Sequence, residues 1–194
     1  MPIEERNTYK LTEIPNFLHF VNDVLCSLCE TNAMFENWEL LSAKTIARWF
    51  LNHADRASGD AITQLKLQKL VYYADAWFLA NFDKPLIKED FEAWAHGPVV
   101  LALYAKYRNH GWEALPSETG VKAPDELEGY LEAVFEEYGQ YGAKKLEKMT
   151  HGETPWLEAR GELPPEAAST TKISKVSMRN YYGSKIEKQP IQTL

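Results

Sequence analysis

The sequence predicts a mainly α protein, a compact single-domain helical bundle around a central buried helix at about 63–81, with at most a small β element near 91–94 and 173. Three observations predict it. The stretch 63–81, TQLKLQKLVYYADAWFLAN, holds no Gly or Pro and is apolar on two sides. At roughly 100° per residue, Leu67, Leu70, Val71, Ala74, Trp77 and Phe78 share one stripe, and Leu65, Tyr72, Ala76 and Leu79 a second. Such a helix is sandwiched rather than laid on a surface. Elsewhere, as at Phe17, Val21, Val24, Leu25 and Leu28, apolar residues recur at three and four, the helical spacing. A chain of 194 residues, 45% hydrophobic and 25% charged, is also long enough to bury a core without disulfide staples.

In order, residues 1–41 form an N-terminal extension, loose at first. Within it Phe17, Val21, Val24, Leu25 and Leu28 make an amphipathic helix over 16–30, with Asn16 at the N-cap. Ser42 caps a second helix to about 54, whose face carries Ile46, Trp49, Phe50 and His53; Ser58-Gly59-Asp60 marks the loop that follows. Thr63 opens the central helix. Polar seams run between its stripes, with Lys66, Lys69 and Tyr73 in one and Gln68 and Asp75 in the other. The two lysines are expected to snorkel to water, or else to line a site for a partner's carboxylates.

Asp83 to Pro85 reads as a turn, and Phe91 with Ala93 as a short strand. Gly97-Pro98 is expected to start a helix, because proline in the first turn removes no intrahelical bond. Val99, Val100, Leu103, Tyr104 and Tyr107 would be its apolar face. After a loop over 112–124, Asp125 and Glu128 have a capping-box arrangement ahead of a helix to about Tyr138. Gly139 and Gly142 separate it from a shorter helix, Thr154-Pro155 begins another, and 161–172 is a surface loop. Ile173 reads as a lone strand residue and Ser174 as the cap of a last helix pointing Met178, Tyr181 and Tyr182 inward; 183–194 is a flexible tail.

A net charge of −7 argues against a general nucleic-acid binder and suits a basic protein partner. With two cysteines, Cys26 and Cys29, no disulfide framework is possible, and a cytoplasmic setting without membrane association is expected. Their CxxC spacing is half of a zinc site with no second half in the chain, so small buried hydrophobes are the simpler reading. His151-Gly152-Glu153 has the HxE of zinc deaminases but no downstream PCxxC. No GxSxG, GxGxxG or Walker motif is present, and no cofactor is expected. Glu89, Asp90 and Glu92 read as a solvated face. Trp94, Trp112 and Trp156 are each read as core, with exposed interface anchors as the alternative.

KLQKLVYYADAWFLA at 66–80, KPL at 84–86, FEAWAHGPVVLALY at 91–104, Thr150-His151 with Pro155-Trp156, and ISKVSMRNYY at 173–182 together resemble the Panacea domain of phage-associated proteins and SocA-like antitoxins. The resemblance covers 42–182. His96 departs from it, standing where an aromatic residue, usually tyrosine, precedes the Gly-Pro.

The resemblance implies an all-α core and an antitoxin that neutralises a protein toxin encoded by a neighbouring gene, some members delivering the toxin to a protease. On that reading the partner-binding residues are Lys66, Lys69, Tyr73, Trp94, His96, Gly97, Pro98, Tyr104, His151 and Trp156. Two alternatives stand beside it. One is a small hydrolase using His96 or His151 with a carboxylate. The other is a DNA-binding regulator of its own operon, using Lys172, Lys175, Arg179, Lys185 and Lys188, residues that otherwise read as solvated tail.

Overall fold

The computed structural model describes residues 39–56 and 61–186. The amphipathic segment 16–30, Cys26, Cys29, the Ser58-Gly59-Asp60 turn and Lys188 lie outside the described residues.

Helix α1, Ala43–His53, is capped as its sequence predicts: the Ser42 side chain accepts from Lys44 N at 3.2 Å. Glu89 adds a second cap from afar, accepting from Ala43 N at 2.9 Å and from Ser42 Oγ at 3.1 Å. The 89–92 acids are therefore no plain solvated face: Glu89 closes the start of α1, Asp90 pairs with Lys172, and Glu92 accepts from the Trp94 indole. Just before α1, Leu41 bridges to Ile87 in parallel.

Helix α2, Gln64–Phe82, follows the Thr63 cap and ends at Asp83, whose φ of 56° is left-handed. Residues 66–79 are all buried, seams included. Burial on every side follows from what surrounds α2: α1, helix α3 (Leu101–Tyr107), helix α4 (Glu128–Tyr138), helix α5 (Ala143–His151), helix α7 (Lys175–Gly183) and the small sheet all contact it. Each Leu, Val or Phe fully withdrawn from water there contributes roughly 1.5–3 kcal/mol. A single apolar cluster around α2 runs from Ala43 to Tyr182.

The sheet is an antiparallel hairpin, β1 (Glu92–Trp94) with β2 (Gly97–Val99), turning at Ala95-His96. Gly97-Pro98 thus lies in a strand; α3 begins only at Leu101, with Val100 extended at its N-cap. Proline is tolerated there because of the register. Ala93, opposite Pro98, donates its amide away from β2, to Thr171 O at 2.8 Å, so the missing N–H breaks no ladder bond. The same edge of β1 receives Ile173 N on Phe91 O at 2.7 Å, and Glu92 bridges to Lys172. The β element near 173 is this bridge.

A 3-10 turn, Asp125–Leu127, precedes α4, and no side chain caps it. The predicted capping box does not form, because Asp125 lies inside the 3-10 turn and Leu127 stands at the N-cap; Glu128 Oε2 instead accepts from the Trp49 indole N–H at 2.8 Å. Helix α6, Thr154–Arg160, starts with proline in its first turn. The Arg160 guanidinium then gathers the following loop through Ala167 O at 2.7 Å and Pro165 O at 3.0 Å. Ser174 caps α7 by accepting from Ser177 N at 3.3 Å. No helix among the described residues is long and apolar enough to cross a membrane.

Candidate functional site

The hairpin turn and the helices beside it make a rim of half-exposed aromatic and charged side chains. Trp94 packs edge-on against Tyr104 of α3, ring centroids 4.7 Å apart, and its indole N–H is held by Glu92 at 2.7 Å. His96, at the tip, has a side chain 62% exposed, and its Nδ1 lies 2.9 Å from Glu147 Oε1 of α5. One turn earlier on α5, Lys144 reaches Glu147 Oε2 at 2.7 Å and also lies over the Trp112 ring, 5.6 Å from its centroid. Burial pushes the Glu147 carboxyl up, but hydrogen bonds from Lys144 and His96 outweigh it and hold the group below the usual range. The rim therefore holds a nearly buried carboxylate between the exposed His96 and Lys144 side chains. Trp112 is 70% exposed, so the core reading for it is corrected: its loop gives it no facing element.

Beneath the rim the predicted residues are covered. Lys69 is fully buried, and its Nζ donates to Pro98 O at 2.9 Å; burial lowers its pKa to about 7, against the pull of Glu147. Lys66 Nζ donates to Gly139 O at 2.5 Å. Tyr73 donates to Glu153 Oε1 at 3.2 Å. The expectation that the lysines reach water is overturned, because the hairpin, α5 and the α4–α5 connection roof the seam. Gly97 and Pro98 are buried too. Gly97 sits at φ 91°, and a Cβ there would fall 2.7 Å from Thr150 Oγ1 and 2.8 Å from Lys69 Cε. It is a contact between layers, and only glycine fits.

His151 stacks on Trp156 with centroids 4.2 Å apart, and burial lowers its pKa. Trp156 is buried and ties α6 to the hairpin by donating to Trp94 O at 3.0 Å. Of the ten residues predicted, the structure gathers Trp94, His96, Tyr104 and His151 where a partner could reach them in whole or part, and uses the rest as support. Lys144 and Glu147 were missed, and for Trp112 the exposed anchor stood only as the alternative to core packing. Only the i, i+3 spacing of Lys144 and Glu147 was readable beforehand.

Where α7 packs on α2 the polar groups are sealed. Glu153 accepts from Tyr73 and, at 2.6 Å, from Tyr182, and burial raises its pKa to about 7. Tyr138 stacks on Tyr73 at 3.8 Å and accepts from the Trp77 indole at 2.7 Å. Asp75 accepts from Leu86 N at 2.8 Å and Ile87 N at 3.1 Å and is paired with Lys175. The other basic residues of the C-terminal region are likewise occupied: Lys172 pairs with Asp90, Arg179 with Asp83, and Lys185 lies over the Tyr181 ring. Among the described residues each of these cations therefore has a partner, while Lys172 and Arg179 stay exposed.

Residues 67–157 match the family described as antitoxin SocA-like, Panacea domain. The antitoxin SocA of Caulobacter vibrioides (strain NA1000 / CB15N) is 37% identical over 71 residues, an alignment that covers 37% of this chain and 37% of that relative. No solved structure matches. The matched segment takes in nearly all of α2, the hairpin, α3, α4, α5 and the start of α6, so the likeness to antitoxin SocA-like Panacea domains falls on the elements that build the rim.

Proposed function

We propose that this protein is the antitoxin of a toxin–antitoxin pair and neutralises a protein toxin, encoded by a neighbouring gene, by direct binding through the hairpin rim. The observation that carries the reading is the Panacea match over the segment that builds the rim. The rim supplies what a protein interface uses: aromatic anchors in Trp94, Tyr104 and Trp112, apolar Leu101, and a charged centre at His96 and Glu147. The net charge of −7 favours a basic partner and speeds its encounter.

The test is co-expression with the adjacent open reading frame. Growth arrest by that frame, relief by this protein, and co-purification of the two products are the expected results. Absence of both rescue and complex would refute the reading. Delivery of the toxin to a protease is its finer form: a chase after synthesis is stopped would show the toxin disappearing faster when this protein is present. The hydrolase reading rests on His96, paired with Glu147, or on the half-buried His151. His96→Ala combined with His151→Ala that still rescues growth excludes it.

A further inference from the structure

Away from the rim, α1 and α4 bring together three side chains of metal-ligating type. His53 is the last residue of α1, while Glu128 and Glu132 lie one turn apart on one face of α4. One ligand atom from each lies within 4.8 Å of the others. Bonds of about 2.0–2.2 Å from a metal to imidazole nitrogen and carboxylate oxygen require donor atoms a little closer than that, within reach of small side-chain rotations.

Neighbouring groups orient the donors. The His53 ring is stacked on Trp49 at 4.3 Å and 15°, and Phe135 meets it edge-on at 5.3 Å and 81°. The Trp49 indole N–H holds Glu128 Oε2 at 2.8 Å, which leaves Oε1 for a metal. An outer donor that fixes a carboxylate in this way is what well-defined metal centres use. No lysine or arginine among the described residues pairs with either carboxylate, so the set carries two negative charges that a cation would neutralise.

The donors also stand beside open space. A cleft of about 550 Å³ between α1 and the 118–125 segment is lined by Asn52, His53, Val121 and Glu128 among others. With His53 and Glu128 lining this cleft, a metal held by three protein ligands would keep coordination positions for water or a small anion.

We propose that His53, Glu128 and Glu132 form a binding site for a first-row divalent transition-metal ion that clamps α1 to α4. One imidazole and two carboxylates suit Zn²⁺ and its neighbours over Ca²⁺ or Mg²⁺, which take oxygen donors. Because the ligands come from two helices some seventy-five residues apart, occupancy stabilises the fold by mass action.

The test uses the untagged full chain with Cys26 and Cys29 replaced by serine, so that their thiolates cannot compete. Added Zn²⁺ is expected to bind one per chain and to raise Tm, and Co²⁺ to develop visible absorption bands. Glu132→Gln, which leaves the Trp49 contacts intact, should weaken binding at least about tenfold, and His53→Gln likewise. The proposal is overturned by no stoichiometric Zn²⁺ binding, or by binding that Glu132→Gln leaves unchanged. If His53→Gln disturbs folding, Glu132→Gln alone decides.

Discussion

The two regions packed around α2, one under α7 and one at the hairpin, use the same residue types for opposite ends. Under α7, Tyr73, Tyr138, Tyr182, Trp77, Glu153 and Asp75 are sealed, every ring packed on another and each carboxyl satisfied by hydroxyls, amides or Lys175. At the hairpin, Trp94, Tyr104, Trp112 and His96 make comparable pairings at the protein surface, His96 with the Glu147 carboxylate beneath it. Identical chemistry is structural where water is excluded and available for recognition where it is not. A buried polar group left without its partner costs far more than an exposed one, so the flanks should respond differently to substitution.

The largest effect belongs to the sealed flank. Asp75→Ala removes the acceptor of two backbone amides and strands Lys175, and should lower stability by about 3–5 kcal/mol in denaturant titration. Glu153 gives a pH signature. Its folded pKa, about 7, lies above the ordinary value of 4.5, so the folded state keeps a proton that the unfolded chain releases. Stability from this group is therefore greatest below pH 4.5 and falls as pH rises to 7. The loss should be on the order of 3 kcal/mol, and absent in Glu153→Gln, when the two proteins are compared across that interval.

Gly97→Ala tests the boundary between the flanks. Strain at φ 91° and the collision with Thr150 and Lys69 should cost about 1–3 kcal/mol, read as a lower Tm. The smallest stability effect is at the rim: Trp112→Ala should change unfolding free energy by no more than about 0.5 kcal/mol. In a pull-down or calorimetric titration with the neighbouring gene's product, the same variant should bind at least about tenfold more weakly. A large loss of stability in Trp112→Ala, or unaltered binding, would erase the contrast.

Much of the fold was legible because it is written locally. Ser42, Thr63 and Ser174 cap helices as their side chains predict, and the two stripes of 63–81 specify a helix covered on both sides. The Gly97-Pro98 pair was misread because its signal serves a helix start and an edge strand equally; the amide of Ala93, turned toward Thr171, settles it. Less of the candidate site was legible. Trp94, His96 and Tyr104 lie in one motif, but Glu147, Lys144 and Trp112 join them from other segments, and no periodicity links a loop tryptophan to a helix thirty residues away. The clustering of His53 with Glu128 and Glu132 is hidden for the same reason.

By itself the sequence determined the helices, their caps and the central place of α2, because apolar spacing and capping act over a few residues. Only the tertiary structure decided which polar residues face water. Lys66 and Lys69 look like snorkelling surface cations on their own helix, yet Gly139 O and Pro98 O, some seventy and thirty residues further along, meet them inside. Burial of a charge depends on whether distant backbone can reach it, and that is a property of the assembled layers.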